Sequence, residues 1–458
     1  MPITTVNPTT GALEAEFPAI DDTEVRRRVE LARATYDEYR TTSFAERAAL
    51  TRRAADLMEA DAESLAELIT LEMGKPIAQS RGEVAKSAAC LRYYADRAEG
   101  FLAPEPLADP AVVNAAQAYA TYHPIGPVLA VMPWNYPIWQ VIRFAAPTLM
   151  AGNTALLKHA SNVPQAALYL DDLFRRAGFP EGAFQTLLIP ASKVDAIIRS
   201  AEVAAVTITG SEPAGRQVAQ AAGESIKPSV LELGGSDPFI VMPSADLDGA
   251  VATAVASRTS NNGQACINAK RFIVHADVYD VFVERFVAAL ESLVIGDPFD
   301  AATQVGPLAT EQGRQDVIEL VENAREHGAA ILTGGEKVGE QGWFYRPTVI
   351  ADIPTSAEIR VEECFGPVAS VYRVDSIDQA LSIANETRFG LGSAIWTEDD
   401  AEISRAISEL DAGAVNVNGM TISYPELPFG GVKASGYGRE LSAAGIRAFC
   451  NQKTVWVR

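Results

Sequence analysis

Cysteine and histidine are scarce and scattered. The four cysteines, Cys90, Cys266, Cys364 and Cys450, form no C-x-x-C pair, and His123, His159, His275 and His327 stand far apart. Neither a disulfide framework nor a zinc site has such spacing. A reducing, cytoplasmic setting without a bound metal is expected. Positive charge is also short: Lys plus Arg is 38 against 59 for Asp plus Glu, a formal charge of −21. That balance repels phosphate backbones and anionic lipid, so neither nucleic acid nor membrane is an expected partner. G-x-G-x-x-G is absent, and with it the usual dinucleotide fingerprint. G-x-S-x-G is absent too, which leaves a serine hydrolase unsupported. No tandem repeat or low-complexity linker is visible. Met1 to Gly11 lacks a basic stretch followed by an apolar core, so no signal peptide is expected. The stretch Pro110–Ile142 carries no formal charge, but Pro124, Pro127, Pro133 and Pro137 interrupt it. It reads as buried core rather than a spanning helix.

What is present is ordinary globular material: 458 residues, 48% hydrophobic and 21% charged. That length suits roughly three structural units. The first hundred residues are helical in period, with one run from Asp22 and another over Phe44–Met73. From Val128 short apolar runs alternate with helical stretches. Strands are expected at Val128–Met132, Thr154–Leu157, Phe184–Ile189, Ala205–Thr209 and Val230–Leu233. Helices are expected at Pro164–Ala177 and Pro213–Ala222, each with proline near its first turn. This is the pattern of a parallel sheet covered on both faces, which binds ligands beyond the carboxyl ends of its strands. A second alternation runs from Phe239 to about Trp396. Ala115–Tyr122 and the tail Lys453–Val457 read as outlying strands.

A few residues have surroundings suited to chemistry. Cys266 lies in a polar, glycine-containing segment, Asn261-Asn262-Gly263-Gln264-Ala265-Cys266. A lone cysteine is more often a buried structural residue, yet a thiolate in such a turn is a strong nucleophile. Glu232 sits between Leu231 and Leu233 at a strand end. Partial burial there raises a carboxylate's pKa towards that of a general base; a salt-bridged strand-end carboxylate is the plain alternative. Asn135 follows a strand directly, as a turn residue or as an oxyanion donor. Gly210-Ser211-Glu212-Pro213-Ala214-Gly215 opens a helix after a strand, either as a simple cap or as a phosphate site.

Taken in order, Pro133-Trp134-Asn135, Lys158, Gly210-Ser211 with Gly215, Glu232-Leu233-Gly234-Gly235, Gly263-Gln264-Ala265-Cys266, Glu363-Cys364-Phe365-Gly366-Pro367 and Pro428-Phe429-Gly430-Gly431 resemble the aldehyde dehydrogenase superfamily over nearly the whole chain. Lys158 to Pro164, Gly210 to Gly215 and Tyr424 to Pro428 are similar to its succinate-semialdehyde dehydrogenase branch. The resemblance implies an α/β fold: a Rossmann-type cofactor domain (1–106 and 123–231), a second α/β catalytic domain (232–435) and a small β oligomerisation element (107–122 and 436–458). It implies a homodimer or homotetramer. It implies Cys266 as nucleophile, Asn135 and the Cys266 N–H as oxyanion donors, and Glu232 as the base that activates water. Lys158 would bind the adenosine ribose and Glu363 the nicotinamide ribose. Gly210 and Ser211 would face the pyrophosphate, with Trp134, Gly215, Leu233 and Phe365 completing the cofactor site.

Many NAD-using relatives have Glu three residues after the lysine, where this chain has Ser161. A carboxylate repels a 2′-phosphate and a serine donates to it, so NADP is the expected cofactor, with NAD possible. A helix beginning near Ile138 puts Tyr136, Gln140 and Arg143 on one face, which in the family lines the substrate tunnel. Arg143 would pair with a carboxylate-tailed aldehyde, with Ser423 as a second donor and Trp139 packed nearby; the alternative is that Arg143 pairs with a structural carboxylate. The expected reaction is oxidation of succinic semialdehyde to succinate. The rivals are a broad-specificity aldehyde dehydrogenase, a coenzyme-A-acylating enzyme (disfavoured by Glu232) and a non-catalytic protein that keeps the fold.

Overall fold

Every residue of Pro127–Met132 except Val131 is buried, and so is all of Thr154–His159 and Ala205–Thr209. Apolar runs without polar alternation need cover on both faces of their sheet. The computed structural model, which describes residues 3–458, supplies it. The first sheet has the order Gly436–Tyr437, Ser229–Glu232, Ala205–Thr209, Pro127–Met132, Thr154–His159, Phe184–Thr186. All neighbours are parallel except the short first strand. Val128, Ala130 and Met132 face a core shared with the helices Phe44–Ala60, Ile77–Phe101 and Trp139–Ala151. Leu129 and Leu156 face the other core, closed by Val25 and Val29 of Asp22–Tyr39 and by Val218 of Glu212–Glu224.

The second sheet runs Ala330–Thr333, Thr348–Ala351, Val368–Val374, Ala269–His275, Asp237–Val241, Ala394–Trp396, Asn416–Val417, parallel apart from its first strand. It too divides an inner from an outer core. A third, antiparallel sheet joins Cys450–Val457, Gln117–Pro124 and Glu105–Pro106. Among the described residues no helix is long and apolar enough to cross a membrane.

Local departures from the sequence reading have local causes. The single run expected over Phe44–Met73 is two helices, parted at Asp61. The Asp61 carboxylate is held from outside, by Arg176 Nη1 at 2.8 Å and the Tyr169 hydroxyl at 3.2 Å. The strand expected to reach Ile189 ends at Thr186, because the Leu188 carbonyl turns aside to accept from Ile20 N–H. Gly436–Tyr437 pairs with Leu231 and Glu232, and Leu441, Ile446 and Phe449 lie in the first sheet's core. Residues 436–449 therefore join the first sheet physically, and the outlying strand begins at Cys450.

This topology creates one cleft. Met132, His159, Thr209 and Glu232 end parallel strands on the same edge of the first sheet, with Lys158 one residue before its strand's end. Gly234–Gly235, Cys266 and Glu363 lie in the segments that lead into strands of the second sheet, and Gly234, Cys266 and Glu363 share one cavity wall with Thr209 at the first sheet's carboxyl edge.

Candidate active site

The segment carrying Cys266 is locked from several directions. After the helix Leu247–Thr259 the chain makes a tight turn in which Asn261 (φ 55°) and Asn262 (φ 57°) are left-handed. Asparagine is among the few non-glycine residues that visit this conformation readily, and here distant segments hold the side chains. Asn262 Nδ2 donates to the Gly74 and Pro307 carbonyls at 2.8 and 2.9 Å, and Asn262 Oδ1 accepts from Gly306 N–H. Gly263 follows at φ +78°, where a Cβ would stand 2.3 Å from the Gly366 carbonyl carbon, so only glycine fits. Lys270 Nζ donates to the carbonyls of Ala265 and Cys266 at 2.9 and 2.8 Å.

The turn after Pro127–Met132 is held against it. Asn135 Nδ2 donates to the Gln264 carbonyl at 2.9 Å, while Asn261 Nδ2 donates to the Asn135 carbonyl at 2.8 Å. One amide hydrogen of Asn135 is thus committed and the second remains. His159 contacts the Pro137 carbonyl at 2.8 Å; burial pushes its pKa down to about 4, so it is neutral. Glu83, from a different helix, accepts from the N–H groups of Ile138 and Trp139 at 2.9 and 3.0 Å and caps the helix that starts there.

Two chambers occupy the cleft. One, of about 260 Å³, is walled by Trp134, Gly210, Ser211, Leu233, Glu363 and Phe365 among others. Its Trp134 and Phe365 rings meet edge to face at 5.8 Å. The other, of about 240 Å³, is walled by Lys86, Tyr136, Trp139, Arg143, Ser423 and Phe429 among others. Gln140 and Cys266 belong to both walls. The chambers therefore meet at Cys266 and Gln140.

Burial pushes the Cys266 thiol up to about 12, against the opposing pull of Lys270 and Arg143. At neutral pH it is a thiol until a base removes its proton. Glu232 is buried, and neither carboxylate oxygen has a hydrogen-bond partner. Desolvation, then repulsion from Glu440, raises its pKa well above the usual carboxylate range. The structure brings Glu232 to the sheet edge but not into the wall of either chamber.

Other expected residues are placed as follows. Ser211 lines the chamber as the N-cap of Glu212–Glu224 with no side-chain cap; Pro213 has no N–H and Gly215 N–H donates to the Ser211 carbonyl, which leaves the Glu212 and Ala214 N–H groups of the first turn without a side-chain cap. Gly215 is not in the chamber wall. A Cβ there would lie 2.5 Å from Leu233 Cδ2, so its small size serves helix-to-strand packing. Glu363 reaches the chamber but is already engaged, accepting from Gly235 N–H at 3.0 Å and pairing with Lys270 at 3.2 Å. Lys158 is buried at the end of its strand, and burial lowers its pKa with no charged partner opposing. Ser161 follows in the turn, and Asn162 Nδ2 beside it is buried without a partner. Lys158, Ser161 and Asn162 are not in the chamber wall; the wall itself offers the Ser211 helix start and the Trp134 and Phe365 rings, and Lys158 stands unpaired one strand away, a set that suits an anionic ligand with a flat ring.

Arg143 carries features of both readings made from its sequence position. It lines the second chamber, but its guanidinium is not free. It is ion-paired with buried Glu440, donates to Thr209 Oγ1 at 3.3 Å and lies 4.7 Å over the Phe429 ring. Lys86, Glu83 and Glu440 are absent from the sequence reading, because no local motif marks them.

The sequence of residues 1–455 matches the aldehyde dehydrogenase family model. The chain belongs to the aldehyde dehydrogenase family. It is 60% identical over 457 residues to a "Succinate-semialdehyde dehydrogenase [NADP(+)] 1" of Mycobacterium tuberculosis (strain ATCC 25618 / H37Rv), covering 100% of both chains. A "Succinate-semialdehyde dehydrogenase [NADP(+)]" of Mycobacterium avium (strain 104) is 58% identical over 458 residues, which cover 100% of this chain and 97% of that one. Among solved structures, the succinic semialdehyde dehydrogenase from Streptococcus pyogenes in complex with NADP+ is similar with a TM-score of 0.96 at 36% identity, covering 99% of each chain. Membership in the aldehyde dehydrogenase family makes the chain an oxidoreductase, and its two-sheet α/β architecture is that of its structural neighbours.

Proposed function

We propose that this aldehyde dehydrogenase oxidises succinic semialdehyde to succinate with NADP, as the names of its 60%-identical relatives have it. The observation that carries the reading is the position of Cys266 in the walls of both chambers. Of the two residues shared by both walls, Cys266 is the nucleophile and Gln140 is not, so an aldehyde entering one chamber and a nicotinamide entering the other would meet at its sulfur.

Cys266 gives its proton to solvent water and attacks the aldehyde carbon as the thiolate, and the carbonyl π pair moves to oxygen. The uncommitted Asn135 amide hydrogen and the Cys266 backbone N–H hold that oxyanion. A nicotinamide held in the neighbouring chamber would supply a ring that accepts hydride, and the carbon on Cys266 sulfur would then be a thioester. Glu232 then takes a proton from water, hydroxide adds to the thioester carbon, and succinate leaves as Cys266 recovers its thiol. A raised pKa suits Glu232 for this near neutrality. To act, its carboxylate must turn from the Glu440–Arg143 group towards Cys266.

In the cofactor chamber Trp134, Leu233 and Phe365 would flank the ring, Glu363 the adjoining ribose, and Gly210 with Ser211 the pyrophosphate. Lys158 and Ser161 would hold the adenosine ribose and its 2′-phosphate. Tyr136, Trp139, Gln140, Arg143 and Ser423 form the substrate chamber. The Arg143 contact with the substrate carboxylate is shared with a second cation, because Glu440 already engages its guanidinium. The outlying sheet, with Leu107, Val112, Trp456 and Val457 exposed, is proposed as the surface joining subunits into a dimer or tetramer. A cytoplasmic setting is proposed on the four unpaired cysteines.

Steady-state kinetics with succinic semialdehyde, comparing NADP with NAD and with a panel of uncharged aldehydes, tests the reading. The highest kcat/KM is expected with succinic semialdehyde and NADP. Equal kcat/KM across the panel would replace it with a broad-specificity enzyme.

A further inference from the structure

Three charged side chains, Glu83, Lys86 and Arg143, line the substrate chamber, and two of them are already neutralised. Glu83 pairs with Lys75 and caps the helix at Ile138. Arg143 pairs with Glu440. Lys86 has no carboxylate within ion-pair distance among the described residues. Its Nζ donates to Ser423 Oγ at 3.0 Å and lies 4.1 Å from the centre of the Trp139 ring. Trp139 Nε1 donates to the same Ser423 oxygen at 3.1 Å.

A hydroxyl has one hydrogen to donate and two lone pairs to accept with. Both Ser423 lone pairs are taken, by an ammonium and an indole N–H. Ser423 is thereby fixed as a donor, and its hydrogen has no acceptor within the protein. A partly buried ammonium without a counter-ion is unfavourable in the free enzyme. Burial and the nearby Arg143 and Lys75 charges push Lys86 down to about 8, against Cys90 and Glu83. Both features are relieved by one kind of ligand group.

We propose that Lys86, with the Ser423 hydroxyl it orients, is the anion-binding end of the substrate chamber, selecting aliphatic aldehydes that carry a carboxylate at the far end. Lys86 supplies the counter-charge and Ser423 the hydrogen bond. Trp139 closes the side of the ammonium and excludes water. This deepens the succinic semialdehyde reading and rests on it.

The test compares kcat/KM for succinic semialdehyde and for butanal in the wild type, Lys86→Met, Lys86→Arg and Ser423→Ala, each with saturating NADP. Lys86→Met is expected to lose about 10- to 100-fold on succinic semialdehyde, mainly through KM, and far less on butanal, so that the preference collapses. Lys86→Arg keeps most of the preference, since charge is retained. Ser423→Ala shows the same selective loss on a smaller scale, and as a minimal truncation it gives a reading even if Lys86→Met folds poorly. A wild-type preference that survives in both Lys86→Met and Ser423→Ala overturns this proposal and leaves the substrate reading standing. A wild type with no preference overturns the substrate reading and this proposal with it.

Discussion

Lys75 and Lys86 occupy neighbouring ground and do opposite things. Lys75 is fully buried, paired with Glu83, and lies 3.8 Å over the Tyr136 ring. Lys86 is partly exposed, unpaired, and lies 4.1 Å over the Trp139 ring. The cofactor side repeats the contrast. Lys270 pairs with Glu363 and holds two carbonyls of the Cys266 segment, whereas Lys158 is buried at its strand end with no charged partner. A lysine whose counter-charge is built into the chain belongs to the scaffold. A lysine without one belongs to a ligand that brings its own negative charge. Both ligands proposed for this site do so, at opposite ends of the cleft.

The comparison breaks most readily in stability. Lys75→Met strands a buried carboxylate and should lower the unfolding free energy by about 3–5 kcal/mol. Lys86→Met removes a charge that has no partner and should stay within about 0.5 kcal/mol of wild type. Denaturant titration of both variants checks this, and equal losses would erase the distinction. At the cofactor end, Lys158→Met should raise the NADP KM by roughly 10- to 100-fold with the fold intact. Ser161→Glu should reverse the preference towards NAD, because a carboxylate repels the 2′-phosphate. Unchanged selectivity would refute the assignment of Ser161.

The smallest effect is a pH dependence. Lys86 titrates at about 8, so its ammonium is present below that pH and lost above it. The ratio of kcat/KM for succinic semialdehyde to that for butanal should fall about tenfold from pH 7 to pH 9, as the charged fraction falls. Cys266 and Glu232 act on both substrates and cancel in the ratio. In Lys86→Arg the fall should vanish.

Much of the site was legible where chemistry and backbone constrain the same few residues. Asn261-Asn262-Gly263 announces a left-handed turn, and that turn presents Cys266. Glu232 stands out as a carboxylate between leucines at the end of a buried strand. Arg143 could be placed in the chamber by helical spacing alone, but not its partner. Glu440 reaches it only because Gly436–Tyr437 folds back along Ser229–Glu232. Lys86 and Glu83 were invisible for a related reason. They sit on a long amphipathic helix whose charged residues all look solvated until Trp139–Ala151 is packed against it. Parallel sheets were readable because each strand is an apolar run, whereas the break at Asp61 depends on partners in a distant helix.

The central claim is that carbon passes through a covalent bond to Cys266 and leaves only when Glu232 activates water. Glu232→Gln mixed rapidly with NADP and succinic semialdehyde tests it most directly. The expected result is a burst of reduced nicotinamide equal to the enzyme, then near-arrest, with a succinyl group on Cys266 by mass spectrometry. Sustained turnover at the native rate, or a burst with Cys266 unmodified, would contradict it.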